Sequence, residues 1–380
     1  MDNLVTDQQK QRQIGFRAFV DEEVIPIVDQ YDQEEQTPPE LIKKMARAGY
    51  LGAAIPVEYG GSAFDAITLG FLCEEFGRGC SSLRSLLTVH TMVASAILRW
   101  GTKDQKAHWL PKLATGEIIG AFGLSEPNVG SDAKSVETVA VPTDKGYLLN
   151  GKKKWTTYGQ IADLFLIFAQ CKGSVTAFLV EATAAGFSRR PLHGIFGTSA
   201  SMLAEITLED CLIPRTQLLG GIGFGLASVA TATLDSGRYT VAWGSVGILQ
   251  ACLESCLRYT STRQQFGVPL KEHQLIQQLI TRMMTDTRAA RLLCLQAGFL
   301  KDGGDPRTVM ETWVAKYFAS TAAVRAANDA LQIHGANGFS REYYAVQRYL
   351  RDAKVMEVIE GSTQIQEITI ARYGYQEQSR

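Results

Sequence analysis

Four places in this sequence hold residues of a type and setting that could do chemistry. Glu360 lies in Ile359-Glu360-Gly361-Ser362, with Val358 also apolar. A carboxylate among apolar neighbours loses hydration, which disfavours its charged form, raises its pKa and improves it as a proton acceptor. The plainer alternative is a surface glutamate at a helix end, as Glu357 would be. Ser125-Glu126-Pro127, followed by Gly130 and Ser131, offers hydroxyls and unhindered main-chain N–H groups to carbonyl or phosphate oxygens. It could equally be an Asx-type turn entering a strand. Trp155 could present its flat apolar face to a planar ligand, or simply fill a core. Arg263 carries a planar fork of donors matched to phosphate.

Other chemistries find little support. The five histidines, at 90, 108, 193, 273 and 334, are scattered without ligand spacing, so no metal site is expected. His334 could be a ligand contact, but a loop histidine is more often solvated, which is the reading favoured for it. The seven cysteines are odd in number, lack a CxxC pair and mostly sit in apolar runs, as reduced packing residues would in a cytoplasmic protein. The glycine cluster at 220–225 mimics a nicotinamide fingerprint, but no βαβ unit surrounds it, so it reads as an interdomain loop. Lys plus Arg number 38 against 39 Asp plus Glu, a net charge of −1 that gives no broad field for nucleic acid or anionic lipid. Met1-Asp2-Asn3-Leu4 does not begin a signal peptide, and no apolar run approaches the roughly 18 residues of a membrane span.

The elements that must position these residues fall into three parts: 1–120 helical, 121–222 an antiparallel β-domain, and 223–380 a helical bundle. Ile14, Phe16, Phe19, Val20 and Val24 follow a helical period, with a break at Pro26. A second helix runs from a Thr37-Pro38 start to Gly49, and others cover 64–78, 82–99 and 103–114, with glycines at ends such as Gly77 and Gly101. Strands are expected at 139–141, 147–149, 164–169, 175–180 and 205–208, separated by turns at Asp144-Lys145-Gly146 and Asn150-Gly151. Beyond 226 the period is helical again, broken most strongly at 301–306.

Five segments in order resemble the acyl-CoA dehydrogenases: 105–111 leading into 121–132, Lys154-Trp155-Thr156-Thr157, Arg263-Gln264-Gln265-Phe266-Gly267, Gln332 through Gly338, and Ile359 through Ile365. The resemblance implies that family's fold, a mainly α protein with a central β-domain and a C-terminal four-helix bundle, and FAD as cofactor. It implies Glu360 as the base that takes a thioester α-proton while the β-hydride goes to flavin. It implies FAD contacts at Phe122, Leu124, Ser125, Gly130, Ser131, Trp155, Thr157, Ser362 and Gln364. Arg263, Phe266, Gln332, Gly335 and Gly338 would reach the FAD of a neighbouring subunit, making the enzyme a homodimer or homotetramer. Asp235 and Arg238 would line the substrate path. Some family members carry the base at the position of Gly237, and glycine there leaves the task to Glu360.

Two departures concern the substrate. Gly197-Thr198-Ser199-Ala200-Ser201 lacks the basic residue that many acyl-CoA members have. The stretches 237–249 and 351–362 resemble the acyl carrier protein dehydrogenases of hydroxymalonyl and methoxymalonyl extender-unit biosynthesis for polyketides. That subgroup implies a glyceryl-type group on an acyl carrier protein. A short-chain acyl-CoA dehydrogenase, a prolyl-carrier dehydrogenase and a non-catalytic thioester- or partner-binding module are the alternatives. Electron-transfer flavoprotein or oxygen would be the acceptor.

Overall fold

The computed structural model describes residues 5–378, so residues 1–4 and 379–380 lie outside it. Six helices open the chain: α1 Asp7–Phe19, α2 Val28–Gln33, α3 Pro39–Arg47, α4 Ala66–Gly79, α5 Ser81–Trp100 and α6 Lys103–Thr115. Reciprocal capping boxes start α1 (Thr6 with Gln9) and α6 (Thr102 with Gln105). A π-helical turn, Val20–Val24, extends α1 before the break at Pro26. Phe16, Val20 and Val24 are buried as the period requires, but Ile14 is exposed. Thr37 is no cap: its buried hydroxyl donates to Ala200 O at 2.8 Å. Gly77 lies inside α4 rather than at its end, because a methyl there would meet the Gly244 carbonyl at 2.3 Å.

The central strands are β1 Gly120–Gly123, β2 Val139–Thr143, β3 Gly146–Thr156, β4 Leu164–Cys171, β5 Ser174–Glu181, β6 Phe187–Pro191, β7 Ala204–Ile213 and β8 Leu218–Leu219. The sheet runs β6-β7-β3-β2-β4-β5-β8, mostly antiparallel, but β1 pairs with β4 in parallel, as does Val139 of β2 with Gln170. Strand β4 is buried on both faces, which explains its unbroken apolar run. Leu164, Leu166 and Phe168 pack with Val93, Ile97, Trp109 and Leu113 of α5 and α6. Phe165, Ile167 and Ala169 join the larger core on the opposite face.

A second π-helical turn, Gly225–Ala230, leads into α7 Thr231–Thr262. Then follow the short strands β9 Gln264–Gln265 and β10 Val268–Pro269, and the helices α8 Gln274–Asp302, α9 Thr308–His334, α10 Tyr344–Val358 and α11 Thr363–Gln378. Residues 225–262 are long and apolar enough to cross a bilayer, yet 78% of the most apolar window is buried inside the protein. That apolar surface is spent on α4, α5, α8 and α9, and small residues of α9 (Ala315, Ala319, Ala322, Ala326) let the helices close together.

Candidate active site

Helix α10 ends at Val358, and the chain turns through Glu360 (φ 55°) and Gly361 (φ 95°) before α11 begins. A left-handed glutamate is uncommon, and a strained backbone at one chemically capable side chain often marks function. The turn is tied down from three directions. Arg238 Nε donates to Glu360 O at 3.0 Å, Lys316 Nζ to Gly361 O at 2.9 Å, and Gln366 Nε2 to Gly361 O at 2.6 Å. The side chain swings back onto α7, where a methyl at Gly237 would fall 2.5 Å from Glu360 Oε2. Glycine at 237 therefore makes the seat for this carboxylate.

Oε2 is shielded from solvent and makes no hydrogen bond. Burial pushes the Glu360 carboxyl up to about 7, against the opposing pull of Arg238, Lys316 and Arg84. Burial likewise pushes Lys316 down to about 7, with Glu360 resisting. A carboxylate poised near neutrality with a free oxygen is equipped to accept a proton from a weak acid.

Asp235 and Arg238 do not pair with each other along α7. Asp235 Oδ2 meets Lys301 Nζ at 2.6 Å, leaving Oδ1 buried without a partner, while Arg238 lies over the Trp313 ring at 3.8 Å. Ser362 Oγ caps Ile365 N at 3.4 Å, and Gln364 is exposed.

The 122–131 segment and the end of β3 come together: Lys154 N donates to Ser125 O at 2.9 Å. Glu126 fastens them, accepting from Thr138 N (3.0 Å), Thr138 Oγ1 (2.5 Å) and the buried ammonium of Lys153 (2.6 Å). Sequence reading treated Glu126 only as part of a turn. Leu124 is buried, Phe122 packs on Phe168, and Ser125 and Thr157 are half-buried beside exposed Gly130 and Ser131. Trp155 is no core residue: it is 51% exposed, at φ 63°. A tryptophan held in a left-handed turn with half its surface bare offers a platform to a flat molecule, next to open N–H groups suited to phosphate.

A separate group gathers at the far ends of α7 and α9. Arg263 follows α7, and among the described residues it forms no ion pair. Phe266 is 95% exposed at φ 53°, in the tight β9–β10 turn. Gln332 and Gly335 are exposed and Gly338 is buried against Leu331. His334 is buried, stacked on Tyr259 and bonded to Ala330 O, so it is not a solvated loop residue. Tyr259 links the two segments, donating to His334 O and accepting from Asn337.

Comparison with known proteins places this geometry. Family profiles match residues 6–117 (acyl-CoA dehydrogenase, N-terminal domain), 121–211 (middle domain) and 223–374 (C-terminal domain). The chain belongs to the acyl-CoA dehydrogenase family. It is 38% identical to a probable acyl-CoA dehydrogenase of Bacillus subtilis, over 97% of this chain and 98% of that one. It is 36% identical to the short-chain-specific acyl-CoA dehydrogenase of Clostridium acetobutylicum, over the same shares. The structure of butyryl-CoA dehydrogenase from Megasphaera elsdenii superposes with TM-score 0.93 at 33% identity, covering 97% and 98% of the two chains. FkbI, described as serving biosynthesis of a methoxymalonyl extender unit, superposes with TM-score 0.88 at 31% identity over 96% and 99%.

Acyl-CoA dehydrogenases are FAD-dependent oxidoreductases, and this chain is one of them. The bare face of Trp155 beside the 125–131 turn fits an isoalloxazine, and the unpaired Arg263 fits a phosphate. Three buried residues near Glu360 escaped sequence reading: Arg84, Lys316 and Gln366. Helical period marks such positions as interior, but it carries no signal that a charged side chain there faces a carboxylate from another helix.

Proposed function

We propose that this enzyme oxidises the Cα–Cβ bond of a short-chain acyl thioester, with Glu360 taking the α-proton. The observation that carries this reading is the unpartnered Glu360 Oε2, seated on the bare surface of Gly237. FAD, when bound, supplies the acceptor for the hydride that leaves the β-carbon. Phe122, Leu124, Ser125, Gly130, Ser131, Trp155 and Thr157 would hold its ring and the start of its pyrophosphate, with Ser362 and Gln364 close to Glu360. Breaking the α-C–H bond delivers the proton to Oε2, and its electron pair becomes the new double bond as hydride departs. Arg238 and Lys316 fix the turn through main-chain carbonyls and temper the charge that Glu360 carries between turnovers.

The names of the relatives favour a coenzyme A thioester. The carrier-protein reading keeps one specific support: residues 197–201 offer no basic side chain, and 198–201 are buried. Thr198 N is held by Asp352 at 2.7 Å and the Ala200 carbonyl by Thr37. Ser201 Oγ has no hydrogen-bond partner but is buried with the rest, so no side chain of that segment reaches outward to grip a nucleotide phosphate. Arg263, exposed and without an ion pair among the described residues, and Phe266, exposed, support a flavin shared between two copies of the chain. Anaerobic flavin bleaching, comparing butyryl-CoA with a glyceryl-loaded acyl carrier protein, tests the reading. Faster bleaching by butyryl-CoA supports the acyl-CoA assignment, faster bleaching by the carrier substrate supports the extender-unit assignment, and bleaching by neither refutes the proposed reaction.

A further inference from the structure

Arg84 is the second charged side chain that α7 accommodates by lacking a side chain of its own. It rises from α5 and is fully buried, and a methyl at Gly244 would strike its Cδ at 2.8 Å and its Nε at 2.9 Å. Gly244 lies seven residues after Gly237, two turns along the same face of α7. One face of this helix thus seats the Glu360 carboxylate and, on the order of 10 Å further along, the Arg84 guanidinium.

Away from the Glu360 turn, where Arg238 and Lys316 meet main-chain carbonyls, buried cations have carboxylate partners: Arg78 with Glu75, Lys153 with Glu126, Arg348 with Asp29. Arg84 has none among the described residues. Its Nη1 donates to Thr88 Oγ1 at 3.0 Å, its Nη2 meets only the Met356 sulfur at 3.1 Å, and Nε is buried without a partner. Thr88 is in turn bonded to Thr240, which lies between the two glycines on α7. An unpaired buried guanidinium is costly, and its strong donors are satisfied when an acceptor oxygen arrives. With Arg238 and Lys316, it is one of three buried cations whose charge reaches Glu360, and none of the three forms an ion pair among the described residues.

We infer that Arg84 recognises an oxygen at the far end of the acyl group, a carboxylate or a hydroxyl, so that the enzyme's substrates are polar-tailed short thioesters rather than plain alkyl ones. The span suits this. Allowing about 3 Å from base to α-carbon and about 3 Å from guanidinium to oxygen leaves roughly 4 Å, the reach of an oxygen on the γ- or δ-carbon.

This inference rests on the placement of the acyl group beside Glu360, so its test uses binding rather than turnover. FAD-loaded Glu360→Gln protein, which cannot deprotonate the ligand, is titrated with succinyl-, 4-hydroxybutyryl- and butyryl-pantetheine, following the flavin absorbance. Short pantetheine thioesters keep the acyl carrier question out of the comparison. Succinyl or 4-hydroxybutyryl should bind at least tenfold tighter than butyryl. Adding Arg84→Met should collapse that ratio to near one, and Arg84→Lys should retain part of it. A preference for succinyl alone assigns a carboxylate, and one for the hydroxyacyl ligand assigns a hydroxyl. Butyryl binding as tightly as both, or a ratio untouched by Arg84→Met in protein that keeps its flavin and melting temperature, overturns the inference. Failure of every thioester to reduce wild-type flavin would refute the proposed reaction instead, leaving the binding ratios to judge Arg84 by themselves.

Discussion

Replacing Glu360 with glutamine tests the base through two independent readouts. Burial lifts this carboxyl from 4.5 to about 7, which corresponds to about 3 kcal/mol of bias against its charged form. The sign follows from linkage. In the unfolded chain the group ionises above about 4.5, whereas in the folded protein it resists ionisation until about 7. The folded state therefore loses stability progressively across that window and carries the full penalty above it. Glutamine never ionises, so it removes the penalty, although it also strips Lys316 and Arg238 of their nearest carboxylate. The variant should melt higher than wild type at pH 8 by an amount worth up to about 3 kcal/mol, with the gap closing by pH 5. Its flavin should stay bound, while thioester-dependent flavin reduction falls by roughly 10²–10⁴ or more. In the wild-type enzyme, the stopped-flow reduction rate should rise with pH through about 7 as the carboxyl gives up its proton. A rate that is flat from pH 6 to 8, or undiminished reduction by the glutamine variant, would refute the reasoning.

Gly237→Ala puts a methyl 2.5 Å from Glu360 Oε2, so reduction should slow by about 10² or more, from a displacement near 1 Å, in protein of normal flavin content. Lys153→Met leaves Glu126 as a buried charge without its cation; a loss of about 3–5 kcal/mol in denaturant melts is expected, and pairing it with Glu126→Gln should recover part of that loss. Trp155→Ala removes a side chain that is 51% exposed, so the apoprotein's melting temperature should barely move while FAD dissociates faster in ultrafiltration. Unchanged FAD retention would remove Trp155 from the flavin site.

Much of this protein is written locally. Strands at 164–171 and 174–181, helices at 82–99 and 103–114, and the break at 301–306 follow from period, β-branching and glycine, because each depends on neighbours within a few residues. The carboxylate at 360 stands out for the same reason, being flanked by Val358 and Ile359. Strand β6, Phe187–Pro191, was missed because its two arginines hide any apolar alternation, and it exists by pairing with β7. The π-helical turns and the parallel β1–β4 pairing are likewise outcomes of packing.

The electrostatics of the site belong wholly to the tertiary structure. Arg84, Gly237, Lys316 and Glu360 come from α5, α7, α9 and the turn after α10, and no short-range pattern connects them. Sequence alone determined that a carboxylate among apolar neighbours lies near the C-terminus and that helices flank a β-domain. Only close packing decided that its oxygen rests on a bare glycine, near neutral pKa, with an unpaired guanidinium two helical turns away, because desolvation and charge depend on distances through space rather than along the chain.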